Sequence, residues 1–161
     1  HAKRLPNGGR FVLTYKIPRR IGLAMRKEIF ITASDKQKLE KLIMEASAYE
    51  TYKKDNIKKL EEELQKAIIV AQDRIPDNVV TMNSNVVLEN LETGEIENYT
   101  LVYPNDADVM NNKISIMAPI GTAMLGYQVD DIIEWPVPAG TIKFKILKIV
   151  FQPEANGNYE L

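Results

Sequence analysis

Residues 113–126 read KISIMAPIGTAMLG, and this stretch predicts a strand that runs directly into a short helix. The strand is predicted over 113–117. The helix follows because Pro119 stands near its start, where the missing N–H costs nothing, and Gly126 stands just past its end. Strands are predicted on both sides of this strand–helix stretch, so it indicates a sheet that packs around one short helix.

From residue 76 onward, short apolar runs alternate with turn residues, which is typical of strands. A hairpin turn is predicted at 92–95, where Gly94 can take a positive φ. A second tight turn is predicted at 138–140, and 104–112 reads as a polar loop. We therefore expect residues 76–161 to form an α+β domain with an antiparallel sheet and one short helix. Its predicted strands are 79–82, 85–91, 96–103, 113–117, 132–137 and 141–151.

Two amphipathic helices are predicted upstream of Pro76. Residues 34–37 have the form of a capping box, in which the Ser34 hydroxyl caps a helix over 35–48. A polar stretch at 49–56 separates this helix from a second one. The apolar residues of the second helix step by three and four, as in the seam of a coiled coil: Ile57, Leu60, Leu64, Ala67 and Ala71.

Neither helix has an apolar face large enough to be stable alone, so the simplest arrangement is a short antiparallel hairpin over 29–75. The alternative is that both helices lie flat against the rest of the core. A helix of about 17 residues would give an arm of about 25 Å. The hairpin ends before Pro76, since the residue before a proline avoids the helical region.

The net charge of −1 hides a strong asymmetry along the chain. Residues 1–28 form a basic leader, with eight basic residues against one acidic residue, and 34–74 hold nine of each. Residues 77–161 hold four basic and twelve acidic residues. Because phosphates must be neutralised by Lys and Arg, this acidic region is a poor nucleic-acid binder on its own. We expect it to reach nucleic acid only indirectly, through a protein partner.

The basic leader is open to three interpretations: a nucleic-acid arm, the remnant of a tag, or translation from an upstream start. It lacks the apolar core of a signal peptide. No apolar run in the chain approaches the roughly 20 residues that span a bilayer. We therefore expect a cytoplasmic, monomeric protein without membrane attachment.

The residue types exclude most familiar enzyme classes. The chain has no cysteine, so it has no disulfide, thiol nucleophile, zinc ribbon or iron–sulfur site. Its only histidine is His1, which removes histidine-dependent triads and histidine metal clusters. We expect no catalytic residue, no metal site and no cofactor.

Four stretches together are similar to one family of bacterial proteins. Residues 79–84 (VVTMNS), 101–104 (LVYP), 114–126 and 152–155 (QPEA) resemble the Gre/Rnk family, whose members bind RNA polymerase at its secondary channel. The resemblance covers about 25–161 and is closest to the Rnk branch. It implies a helical hairpin followed by an FKBP-like domain, in agreement with the interpretation of the residues.

The resemblance also implies two functional regions. In Gre factors the second domain docks on the polymerase rim, and paired acids at the hairpin tip help hold a catalytic Mg²⁺ in the active site of the polymerase. Here the tip residues are Glu50, Tyr52, Lys53 and Asp55; the arm is short, and lysines separate the two acids. The docking residues are Met117, Ala118, Pro119, Ile120 and Gly121, although Gre factors often have a serine in place of Ala118.

A purely structural role is the alternative for the docking residues. Ile120 would then pack into the core, together with Ile116, Ala123, Met124 and Leu125, and Pro119 and Gly121 would shape the turn. Trp135 is open to the same two interpretations, as an exposed anchor for a partner or a partly buried strand residue.

The resemblance favours a transcription regulator that binds core RNA polymerase and competes with Gre factors without stimulating transcript cleavage. One alternative is a Gre-like elongation factor that does stimulate cleavage. Another is an FKBP-like prolyl isomerase, although the aromatic residues of 76–161 are scattered along the sequence. A third follows the name of the Rnk branch, regulator of nucleoside diphosphate kinase, and has the protein change the level of that kinase indirectly or contact it directly. No residue pattern favours direct contact.

Overall fold

The structure, a computed structural model of the chain, describes residues 2–4, 11–13 and 28–160. Two short strands, β1 (Ala2–Arg4) and β2 (Phe11–Leu13), pair antiparallel. The remainder of 1–27, which includes most of the predicted basic leader, lies outside the described residues. Within the described part of the chain, no helix combines the length and the apolar character needed to cross a membrane.

A helical hairpin is made by α1 (Ala33–Tyr49) and α2 (Lys54–Lys66), as the apolar spacing predicts. The capping residue was predicted wrongly. Thr32, not Ser34, caps α1, and its Oγ1 accepts a hydrogen bond from the backbone N–H of Asp35 at 3.1 Å. Ser34 already lies in the first turn, so its hydroxyl cannot act as the N-cap.

The second helix ends earlier than predicted. It stops at Lys66, and β4 (Ile68–Val70) follows where the seam was expected to continue to Ala71. β4 pairs in parallel with β3 (Phe30–Thr32), which was not predicted. The β-branched run Ile-Ile-Val favours an extended backbone over a helix. The pair joins the two ends of the hairpin, because β3 enters α1 and β4 leaves α2.

A sheet of five strands forms the second half of the fold. The strands are β5 (Asn85–Asn90), β6 (Ile96–Val102), β7 (Lys113–Ser115), β8 (Ile132–Val137) and β9 (Gly140–Phe151). Their order in the sheet is β7-β6-β5-β9-β8. Three of the four pairings are antiparallel, but β7 runs parallel to its neighbour β6, so the predicted all-antiparallel sheet is wrong at this edge.

The predicted strand at 79–82 is not a strand. Val79 makes one isolated bridge to Gln128, and the chain then turns at Thr81–Ser84. The Ser84 side chain accepts from the Thr81 N–H at 3.0 Å, and the Ser84 N–H donates back to the Thr81 carbonyl at 3.1 Å. These bonds close a turn, and Asn83 takes a positive φ of 65° within it, which a strand cannot accommodate.

The predicted short helix is present as α3 (Pro119–Met124), directly after β7. It packs between α2 and the strands β7 and β8. One cluster of buried apolar side chains extends from the hairpin, with Leu39 and Leu60, into the sheet, with Leu88 and Ile146. The hairpin therefore rests on the same core as the sheet, which fixes where its base lies relative to α3.

Candidate functional site

The predicted docking segment, Met117–Gly121, lies at the junction of β7 and α3. Ser115 organises this junction through two acceptors. Its side-chain Oγ accepts from the Met117 N–H at 3.1 Å, and its carbonyl accepts from the Ala118 N–H at 3.0 Å. Pro119 stands in the first turn of α3, as its position in the sequence predicts. The segment is therefore a tight turn, in which two backbone N–H groups are held by the side chain and the carbonyl of Ser115.

The five residues of the segment differ in exposure. Met117, Ile120 and Gly121 are buried, whereas Ala118 and Pro119 are partly exposed. Ile120 packs into the core with Ile116, Met124 and Leu125, as the structural interpretation predicts, whereas Ala123 is only partly buried. Within the segment, only Ala118 and Pro119 have appreciably exposed side chains.

Gly121 permits the close approach of α3 to β7. A Cβ atom at this position would lie 2.1 Å from the carbonyl oxygen of Ser115 and 2.9 Å from its carbonyl carbon. Both neighbours are backbone atoms, so no side-chain rotation relieves the contact. A further hydrogen bond joins α3 to the segment after β7, because the Thr122 hydroxyl donates to the Ile116 carbonyl at 2.7 Å.

The hairpin tip presents three charged residues and one tyrosine. Glu50, Lys53 and Asp55 are exposed, whereas Tyr52 is partly buried and packs against the main core. Glu50 ends α1 with a left-handed φ of 51°, and its carboxylate pairs with Lys54 at 4.0 Å. Among the residues that the structure describes, no group of three or more acidic, histidine or cysteine side chains is placed to hold a metal ion.

A polar cluster at the base of the hairpin was not predicted. Asp35 points from the first turn of α1 into the interior, where its carboxylate accepts from the Met82 N–H and the Tyr103 hydroxyl, each at 3.3 Å. Glu154 is also buried and accepts from the Thr81 hydroxyl at 2.7 Å. The cluster links α1 to the turn at 81–84, the end of β6 and the segment after β9.

Burial changes the acidity of this cluster. Removal from water, with a further contribution from the charge of Glu154, raises the pKa of Asp35 to about 6. Burial and the nearby Asp35 carboxylate also raise the pKa of the Tyr103 hydroxyl well above its ordinary value. Tyr103 therefore stays protonated and donates to Asp35 throughout the physiological pH range.

The signal for this cluster was present in the sequence. Tyr103 lies in the stretch 101–104 and Glu154 in 152–155, two of the four stretches that carry the family resemblance. Asp35 lies in the predicted capping box and was interpreted only as a helix-start residue. Their association depends on contacts between residues 47 positions or more apart, which local patterns do not reveal.

Two family models match the chain. The one described as "Transcription elongation factor, GreA/GreB, C-term" matches residues 75–151, and the one described as "Rnk N-terminus" matches residues 27–70. The first match contains the whole docking segment and the sheet up to the end of β9. The second contains the hairpin with β3 and β4.

Individual relatives agree with these matches. The chain is 43% identical over 103 residues to the regulator of nucleoside diphosphate kinase of Escherichia coli K12, covering 63% of this chain and 76% of that protein. It is 35% identical over 140 residues to the transcription elongation factor GreA of Clostridioides difficile 630, covering 83% of this chain and 84% of that protein. A solved structure, the transcription elongation factor GreA/GreB from Nitrosomonas europaea, superposes with a TM-score of 0.66 at 38% identity, covering 77% of this chain and all of that one.

Proposed function

Because this chain belongs to the Gre/Rnk family of transcription factors, we propose that it binds core RNA polymerase at the secondary channel and competes there with Gre factors without stimulating transcript cleavage. The observation that carries the proposal is the docking segment: residues 117–121 lie inside the GreA/GreB match and form the β7–α3 turn. The family consists of regulators rather than classical enzymes, so the proposed activity is binding.

In this proposal Ala118 and Pro119 touch the polymerase, because they are the partly exposed members of the docking segment. Met117, Ile120 and Gly121 keep the turn in shape from inside the core. Ala118 has no side-chain hydrogen-bonding group, so its contact with the polymerase is apolar or through the backbone. The acidic residues of 77–161 favour a basic partner surface over nucleic acid, which the protein would reach only through the polymerase.

The hairpin tip supports the absence of cleavage stimulation. Holding a divalent cation requires carboxylates close together with an excess of negative charge. Glu50 ends α1 and Asp55 lies in the first turn of α2, and Lys54 pairs with Glu50. The tip therefore lacks the paired acids that the chemistry needs. The hairpin is also a short arm, because α1 has 17 residues and is therefore only about 25 Å long.

Replacing Ala118 by arginine is expected to weaken binding to core polymerase by about tenfold or more, because a long charged side chain would enter the centre of the docking contact. Binding is measured by fluorescence anisotropy of the labelled chain. Ala139→Arg, at an exposed position between β8 and β9, is the matched control and should bind like the wild type. Equal affinity of both variants would remove Ala118 from the proposed contact.

A cleavage assay on backtracked elongation complexes separates this proposal from the Gre-like alternative. The wild-type chain is expected to leave cleavage at the level of polymerase alone and to suppress Gre-stimulated cleavage as its concentration rises. The physical reason is that it occupies the channel without delivering paired carboxylates. A rise in cleavage on adding the chain alone would favour the Gre-like alternative instead.

The prolyl isomerase alternative receives little support. Trp135 and Phe144 form one aromatic pair, with ring centroids 6.0 Å apart. Tyr99 lies on β6 and Tyr103 directly follows it, and β6 is on the other side of β5 from the strands that carry this pair. The FKBP-like character of the sheet domain, the domain boundary at Pro76 and the monomeric, cytoplasmic state stay predictions. Direct contact with nucleoside diphosphate kinase is likewise favoured by no feature of the described residues, and altered transcription would be sufficient to regulate that enzyme.

A further inference from the structure

The loop between β6 and β7 ends in a small structured knob at residues 108–113. The backbones of Asp108 and Lys113 exchange two hydrogen bonds, at 2.9 and 3.0 Å, and so close the loop at its base. Inside it, the Asp108 carboxylate accepts from the Met110 N–H at 3.1 Å and from the Asn111 side chain at 2.6 Å. Asn112 completes the turn with a left-handed φ of 53°. We call residues 108–113 the apolar knob.

The apolar knob displays two large side chains to solvent. Val109 is 87% exposed and Met110 is 92% exposed, more than any other large apolar side chain in the described part of the chain. Single exposed apolar residues are ordinary on protein surfaces. Here two are adjacent, and a hydrogen-bonded loop holds the backbone beneath them. Such a loop loses little entropy on binding, which favours a contact surface.

The apolar knob leads directly to the docking segment. Its last residue, Lys113, begins β7, and β7 is the edge strand of the sheet. Met110 and Ala118 are eight positions apart in the chain, so they are separated by at most about 29 Å at the rise of a fully extended chain. A standard protein–protein interface of about 800 Å² per partner is wider than that. One partner surface can therefore cover both regions.

Acidic residues outnumber basic ones at the apolar knob, where Asp106 and Asp108 are accompanied by one exposed lysine, Lys113. Asp106 is exposed, and the hydrogen bond from the Asn111 side chain lowers the pKa of the Asp108 carboxylate. Residues 77–161 hold four basic and twelve acidic residues. A partner surface that receives the knob must accordingly offer an apolar recess with a basic border. Methionine suits such a contact because its flexible thioether adapts to irregular recesses.

Resting on the proposed function, we infer that the apolar knob is a second contact with RNA polymerase, seated in an apolar recess with a basic border beside the site of Ala118 and Pro119. Val109 and Met110 supply buried apolar area in the complex. The acids Asp106 and Asp108 contribute attraction that weakens with salt. The docking surface then runs along the β7 edge of the sheet rather than being confined to the β7–α3 turn.

The test compares the full chain with the double variant Val109→Ser/Met110→Ser in binding to core polymerase. The double variant is expected to raise Kd by about tenfold or more, given the apolar area that two such side chains bury. The slope of Kd against salt should stay unchanged, because no charge is removed. The control Ile96→Ser/Val150→Ser removes side chains that are 59% and 54% exposed elsewhere on the sheet and should leave Kd within about twofold.

Each outcome bears on a different claim. If the wild type binds and the knob variant binds equally well, the apolar knob is not a contact, while the proposed function stands. If the wild type fails to bind polymerase, both fall together. Sedimentation of the free proteins tests whether the apolar knob instead contacts a second copy of this chain. A wild-type dimer that the knob variant converts to a monomer would also overturn the inference. Equal thermal midpoints for all variants exclude a folding defect as the cause.

Discussion

Replacing Gly121 by alanine is expected to lower the thermal midpoint of the protein by about 10 °C, equivalent to about 3 kcal/mol for a chain of this size. The new Cβ would stand 2.1 Å from the Ser115 carbonyl oxygen, well inside van der Waals contact. Since the obstructing atoms are backbone, α3 must move away from β7. That movement would also displace Ala118 and Pro119. Circular dichroism melts and the polymerase-binding assay measure the two consequences separately.

Gly94→Ala is the matched control for this prediction. Gly94, unlike Gly121, has a positive φ, of 76°, and no atom lies within 4 Å of the position a Cβ would take. Its substitution should therefore cost only the backbone strain of a left-handed residue, about 1–2 kcal/mol, and leave binding unchanged. A Gly121→Ala protein as stable as the wild type would contradict the close approach of α3 to β7.

Asp35→Asn is expected to stabilise the protein at pH 7 by up to about 3 kcal/mol and to have little effect near pH 4. The pKa of Asp35 is about 6 in the folded protein against 3.8 for the free side chain. Between these values the folded state keeps a proton that the unfolded state has released. Stability therefore falls as pH rises through this window and stays lower above pH 6. An asparagine removes the charge and with it this pH dependence.

An asparagine at position 35 can keep hydrogen bonds to both partners of the Asp35 carboxylate, with the direction of the bond to Tyr103 reversed. Its amide oxygen can accept from the Met82 N–H, and its amide nitrogen can donate to the Tyr103 hydroxyl. Asp35→Leu, in contrast, leaves both partners unsatisfied and should destabilise the protein at every pH. Urea titrations at pH 4, 5, 6 and 7 compare the variants, with Asp55→Asn at the exposed tip as a control. A constant stability difference between wild type and Asp35→Asn across this range would contradict the assignment.

Local sequence patterns predicted the elements whose signals are local. Pro119 and Gly126 bracket α3, which ends at Met124 with Gly126 at a φ of 79°. Gly94 marks the turn of the β5–β6 hairpin, and the apolar spacing identified both helices of the arm. The docking residues, in contrast, were predicted only from the resemblance to the Gre/Rnk family.

The features that sequence missed depend on distant contacts. β3 and β4 are three residues each, too short to display a period, and each exists because the other pairs with it. The direction of β7 relative to β6 is set by the path of the loop between them, which no spacing rule fixes. Asp35 became a buried partner of Tyr103 only once α1 was packed on the sheet. Burial of Met117 and Ile120 likewise decides which docking residues can face a partner.

The most direct test of the account is a competition experiment at the polymerase. The labelled full chain is bound to core RNA polymerase, and an unlabelled Gre factor is titrated into the complex. Docking at the secondary channel predicts that the Gre factor displaces the chain completely. The apparent affinity of the Gre factor should then weaken in proportion to the concentration of free chain. A complex that holds both proteins at once, or no binding of the chain at micromolar concentrations, would contradict docking at the secondary channel.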